Sequence, residues 1–256
     1  MRGERMTQVT ALASPLPDVH LFVTDVSDWA LADVPFADAD EVATFVTQKR
    51  REEHLSGRWL LGEGLKRLGE SDLSTIEVVR SEERAPSLHF IQGAWRRTPL
   101  PRISLAHSEG RVFLAVSSPD VQVGIDVEPL DRTLAANAFD MMAKGEELAY
   151  LKAHPSQAMQ WWTGKEAVQK ALGLGMHLNP RRIQIPTGDD SKKISIGNSK
   201  IQLNYWQYEG YHISLALTPV NPAELTPEER LLEETRLAME ANPEWGVGCK
   251  TLRNNA

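Results

Sequence analysis

The chain has 256 residues, a formal net charge of −7 and a single cysteine, Cys249. That length allows one large domain or two lobes of roughly 100 residues each, and one cysteine excludes a disulfide framework or a multi-cysteine zinc site. The acidic balance argues against general nucleic-acid binding, which needs Lys and Arg to replace phosphate counterions.

The charge is uneven. Lys49 to Arg111 hold 12 Lys/Arg against 9 Asp/Glu, leaving −10 on the rest of the chain. A basic region inside an acidic protein suits a small anionic ligand better than a long polyanion. Met1–Gln8 carries charges with no apolar core behind it, unlike a secretory signal. No apolar run approaches the roughly 20 residues of a membrane span, so the expected location is cytoplasmic.

In chain order, Val19–Val23 reads as a strand among proline-bearing loops. From Asp40 to Leu68 the apolar spacing predicts one long helix, capped by Asp40 and stopped at Gly69. Ile76–Val79 reads as a strand, and residues 81–101 as a loop containing a short strand at Leu88–Ile91. Arg102–Ala106 and Arg111–Ser117 form a predicted hairpin bent at Glu109-Gly110, followed by a strand over Val121–Glu128. Helical pattern covers Leu134–Leu172, interrupted near Lys144-Gly145 and His154-Pro155. Ile183–Ile185, Lys193–Ile196, Lys200–Tyr208 and Tyr211–Leu217 read as strands. In the acidic tail, Thr226-Pro227-Glu228-Glu229 is a helix start.

A faint internal repeat runs through this order. Ser56-Gly57-Arg58 corresponds to Thr163-Gly164-Lys165, and the bend Glu109-Gly110 to Glu209-Gly210. Helix, strand and hairpin thus recur, which predicts two lobes related by a pseudo-two-fold.

Four elements carry chemistry. On the strand Val121–Glu128, Val121, Val123, Ile125 and Val127 face a core while Gly124, Asp126 and Glu128 face the other way. Two like-charged carboxylates about 7 Å apart at the backbone repel unless a cation lies between them, and hard oxygens suit Mg²⁺. Gly124 leaves room for a ligand beside them. Glu166 and Lys170 lie four apart on a helix and share a face. His107 ends a strand, and Lys49-Arg50-Arg51 with Arg58 makes a helix basic. Taken singly, each reads first as something plainer: a solvated strand face, a surface ion pair, a satisfied turn or a solvated basic face.

In this order the elements resemble the 4′-phosphopantetheinyl transferase superfamily, of the larger two-lobed type that activates carrier proteins. The signatures G-[IV]-D-[IV]-E and W-[ST]-x-K-E-[AS]-x-x-K match Gly124–Glu128 and Trp162–Lys170 without departure. The resemblance covers roughly residues 40–217. It implies an α+β fold of two pseudo-two-fold-related lobes, each a long helix on a mainly antiparallel sheet. The expected division is residues 1–118, 119–219 and an acidic helical tail, 220–256. Asp126, Glu128 and Glu166 then hold Mg²⁺, which bridges to the pyrophosphate of coenzyme A. A serine hydroxyl of an apo carrier protein attacks the β-phosphate, the phosphopantetheine arm moves to it, and 3′,5′-ADP leaves.

In this reading Lys165 and Lys170 match the family's lysines and stand near the phosphates. Glu166 is a candidate base as well as a ligand. His107 matches the histidine at the 3′-phosphate, and Arg50 and Arg58 the basic contacts to coenzyme A. The expected activity is that of a holo-acyl-carrier-protein synthase, working as a monomer without nucleic-acid or membrane partners. One departure concerns a Gly-Lys-Pro string of many relatives, for which this chain has Arg84-Ala85-Pro86. The rival readings are a non-catalytic module binding coenzyme A or a carrier protein, and a Mg²⁺-dependent coenzyme A pyrophosphohydrolase.

Overall fold

The computed structural model describes residues 8–70, 72–94, 99–187 and 191–221, and beyond them only 225, 230, 231, 234, 237, 238 and 241. The predicted helix start at Thr226–Glu229 lies outside the described residues.

The first half of the chain forms strands Thr10–Leu12 (β1) and Val19–Asp25 (β2), helices Ala39–Ala43 (α1) and Gln48–Arg67 (α2), and strands Ile76–Arg80 (β3), Pro86–Phe90 (β4), Arg102–Ser108 (β5) and Arg111–Ser117 (β6). The second half forms Val121–Pro129 (β7), helices Phe139–Met142 (α3), Gly145–Ala153 (α4) and Ala158–Ala171 (α5), and strands Ser191–Ile196 (β8), Ser199–Tyr208 (β9) and Tyr211–Pro219 (β10). The strands make two four-stranded sheets, β1-β2-β6-β5 and β7-β10-β9-β8, and the pair β3-β4. Every pairing is antiparallel. The α+β expectation is met.

Strand alternation places the cores. From the first sheet, Phe22, Val112, Leu114 and Val116 turn toward α2 and meet Leu60, Leu61 and Leu65. Their neighbours Leu21, Val23, Phe113 and Ala115 join Val123, Ile125, Val127, Ile213 and Leu215 in a core shared by both sheets. On the far side of the second sheet, Ala167, Val168 and Ala171 of α5 pack on Ile201, Leu203 and Ala216. Burying such side chains stabilises by about 1.5–3 kcal/mol each for Val, Leu, Ile or Phe.

The two hairpin bends are close copies. Glu109 and Gly110 have φ of 42° and 81°, Glu209 and Gly210 42° and 87°. Two consecutive positive φ values define the tight turn whose twist matches a hairpin. Val26 N–H donates to Gly110 O (2.7 Å), and Leu130 N–H to Gly210 O (2.8 Å). The bends also hold each other, since Arg111 donates to Glu209 and Tyr211 Oη to Glu109 O.

Two predicted elements differ. The long helix is broken into α1 and α2, because Thr47 caps a new start by accepting from Arg50 N–H. Asp38 rather than Asp40 caps α1, and Val46 at the break is 98% exposed instead of sharing the buried face of Val42. Ile183–Ile185 is not a strand. Its backbone groups bond to side chains: Ile183 O accepts from Lys165 and Ile185 N–H donates to Glu147.

Candidate functional site

A cleft of about 1230 Å³ runs between the β3–β4 turn and β5 on one side and β7 and α5 on the other. Its floor is set by one glycine. A Cβ on Gly124 would fall 2.0 Å from Ala167 O and 2.4 Å from Ala171 N, so only glycine lets α5 lie this close to β7. The space expected here for a ligand is filled by the helix backbone. The close approach brings Glu166 and Lys170, one turn apart on α5, over Asp126.

The carboxylates are unevenly engaged. Asp126 is buried, and its Oδ1 accepts from Lys170 Nζ (2.8 Å). Its Oδ2 is also buried and has no donor among the described residues unless Glu166 keeps its proton. Burial and the negative charge of Asp126 do hold the Glu166 carboxyl up, at about 7. Glu128, two residues along β7, turns away to accept from Ser108 Oγ (2.9 Å) and Arg132. Among the described residues no three His, Cys, Asp or Glu side chains form a ready metal cage. Even so, an orphaned buried oxygen facing a carboxyl that retains its proton is the environment a cation relieves. Asp126 and Glu166 therefore fit a divalent ion as they stand, and Glu128 would join on leaving Arg132.

The opposite wall is basic. Arg50 Nη1 donates to His107 Nε2 (2.7 Å), so that nitrogen is the acceptor and the ring proton sits on Nδ1, 3.4 Å from Glu53. Burial holds the His107 pKa below its ordinary value. Deeper in, Arg58 is 4% exposed and lies 3.4 Å from Glu41, which also pairs with Arg80 (2.8 Å) and lies 3.6 Å from His54. Arg84 sits in the β3–β4 turn with φ of 66°; burial first, and then the charges of Arg84 and Arg50, hold the Arg80 pKa below its ordinary value against the pull of Glu41.

Residues 122–216 match the model of the 4′-phosphopantetheinyl transferase superfamily. Over those residues the chain is similar to that superfamily. The match spans both motif-bearing elements of the cleft, β7 and α5, and the sheet that supports them. Phosphopantetheinyl transfer is the general activity this superfamily domain supports; the superfamily is generally Mg²⁺-dependent, uses coenzyme A and implies a carrier protein as partner. No curated protein matches the chain. No helix among the described residues is long and apolar enough to cross a membrane.

Against this superfamily site, Asp126, Glu128, Glu166, Lys170, His107, Arg50 and Arg58 all line the cleft. Lys165 does not. Five residues before Lys170, it points about 140° away around the helix. It is fully buried, with Nζ 2.8 Å from Glu147 and donating to Pro180 O and Ile183 O. Burial lowers the Lys165 pKa and raises that of Glu147, each against the other's charge. Lys165 is buried away from the cleft that Lys170 lines, so it cannot reach a phosphate bound there, and the expected phosphate contact is corrected on that ground.

Four residues were missed from sequence: Glu53, His54 and Arg80 on the cleft wall, and Glu41, which pairs with Arg58 and Arg80. Glu53 and His54 share α2 with Arg58, and one further turn of helical-wheel reasoning finds them. Arg80 closes a strand just before a turn, in the basic segment. Glu41 has no local signal, because α1 meets Arg80 only through the tertiary fold.

Proposed function

We propose that the chain transfers the 4′-phosphopantetheine arm of coenzyme A to a serine of an apo carrier protein, as an enzyme of the larger two-lobed type. The observation that carries this reading is the clustering of Asp126, Glu166 and Lys170 at one end of a cleft whose other wall is basic. The copied hairpin bends and matching α2 and α5 support two lobes, residues 1–118 and 119–219, related by a pseudo-two-fold.

Asp126, Glu166 and, once released from Arg132, Glu128 would hold Mg²⁺. The ion would supply a Lewis acid for the phosphoryl oxygens. Lys170 holds Asp126 in place and presents a cation beside the reacting phosphates. Glu166 is the side chain placed to take the serine proton as the hydroxyl oxygen bonds to the β-phosphorus. The bond from that phosphorus to the bridging oxygen breaks, and 3′,5′-ADP departs with the electron pair. Arg50, Arg58 and His107 face the nucleotide.

A carrier protein incubated with the chain, coenzyme A and Mg²⁺ is expected to gain the mass of one phosphopantetheine arm. No gain across fatty-acid, polyketide and peptide carriers overturns the proposal, and coenzyme A cleaved without any carrier favours a hydrolase. Asp126→Asn and Glu166→Gln should each lower transfer at least 100-fold, and Glu166→Gln should keep thermal stability, because its amide can donate to Asp126 as the protonated carboxyl does.

A further inference from the structure

Behind the basic wall lies a carboxylate, Glu41, that pairs with two of the wall's arginines. Glu41 sits among Arg58, Arg80 and His54, and Arg84 lines the same cleft as the two arginines. A surface ion pair does not describe this arrangement, since Arg58 is 4% exposed. Nor does a saturated one. Arg58 Nη1, Arg80 Nε and His54 Nε2 are all buried without a hydrogen-bond partner among the described residues.

Buried donors without partners cost about 1–3 kcal/mol each, more when charged. A fold retains them where a ligand completes them. Glu41 supplies one negative charge to two guanidinium groups, so the cluster keeps net positive charge with Glu41 in place. What it lacks is an anion with several acceptor oxygens, which describes a phosphate monoester.

The second half of the chain contains the same device in finished form. Glu147 of α4 holds Lys165 of α5 as Glu41 of α1 holds Arg58 of α2. There the remaining donors end on Pro180 O and Ile183 O, and nothing is left to bind. In the first half no carbonyl among the described residues closes the cluster, and Arg58, Arg80 and His54, which carry the leftover N–H groups, line the cleft.

We infer that Glu41 is a positioning residue that holds Arg58 and Arg80 with their free N–H groups turned to the cleft, and so sets its preference for a ligand bearing a terminal phosphate monoester. The inference rests on the proposed coenzyme A reading and deepens it. Glu41 touches the arginines and not the ligand; its carboxylate fixes their planes and offsets part of the cost of burying them.

The test is calorimetric binding of adenosine 3′,5′-bisphosphate and of adenosine 5′-monophosphate to the full chain and to Glu41→Gln and Glu41→Asp. The wild-type protein is expected to prefer the bisphosphate. Glu41→Gln should weaken the bisphosphate on the order of tenfold and leave the monophosphate within about twofold, so that the preference collapses. Glu41→Asp, which keeps the charge and serves if the amide fails to fold, should recover part of it. Tighter bisphosphate binding by Glu41→Gln would make Glu41 an obstruction and overturn the inference. Equal losses for both nucleotides, or a wild-type protein without preference, would do the same while leaving the coenzyme A reading standing. A wild-type protein that binds neither nucleotide removes both.

Discussion

Two buried ion pairs sit at matching places in the two halves of the chain and have opposite surroundings. Lys165–Glu147 is sealed, every donor meeting an acceptor. Arg58–Glu41 is open, with guanidinium nitrogens left over at a cleft wall. The same motif of helix cation and preceding glutamate has therefore been used once to fasten a segment and once to present charge. The difference lies in the backbone beside it: the 178–185 segment covers Lys165 with carbonyls, whereas the β3–β4 turn brings further cations to Arg58.

The largest expected break is on the sealed side. Lys165→Met leaves Glu147 buried and unpaired, and removes the donor from two carbonyls. It should cost about 3–5 kcal/mol in urea unfolding. Arg58→Met should cost only about 1–2 kcal/mol, because Glu41 keeps Arg80. Similar losses for the two would erase the distinction.

The glycines one position before each cation sharpen it. On Gly164 a Cβ meets the Tyr205 hydroxyl at 2.3 Å, so Gly164→Ala should cost about 1–3 kcal/mol by overpacking. On Gly57 the nearest atom is 3.8 Å away, and Gly57→Ala should be neutral or gain about 0.5–1 kcal/mol from helix propensity. Thermal denaturation of the two variants reads this directly.

A pH slope reads the open side separately. Burial and then the charge of Arg58 hold the His54 pKa down at about 4. The unfolded chain takes up that proton near 6.5 and the folded one resists it. Stability should therefore fall as pH drops from about 6.5 to 4, by about 3 kcal/mol in all, and level off below. His54→Gln should flatten that part of the profile, and an unchanged slope would assign it to other groups.

How much of this was legible from sequence depends on range. The β7 alternation and the hairpin bends are written in neighbouring residues, and the structure keeps them. The Glu166–Lys170 face follows from helical spacing alone. Lys165 was misread because a motif gives residue types and not the direction of a side chain; counting degrees around α5 separates it from Lys170. Gly124 was assigned space for a ligand, but only the docked helix shows what occupies that space. Glu41 lay beyond reach for a different reason. Its role depends on α1 breaking away from α2 at Thr47, and on a turn some forty residues later in the chain.

The interlocked hairpin bends have a consequence for how the molecule comes apart. Arg111 of one bend clasps Glu209 of the other, Tyr211 returns a bond to Glu109 O, and the apolar faces behind them are a single core. Neither half can melt without exposing the inner sheet face of its neighbour. Heating should therefore give one cooperative endotherm with equal calorimetric and van't Hoff enthalpies. A chain cut between β6 and β7 should yield fragments that are insoluble apart and recover a fold only when mixed.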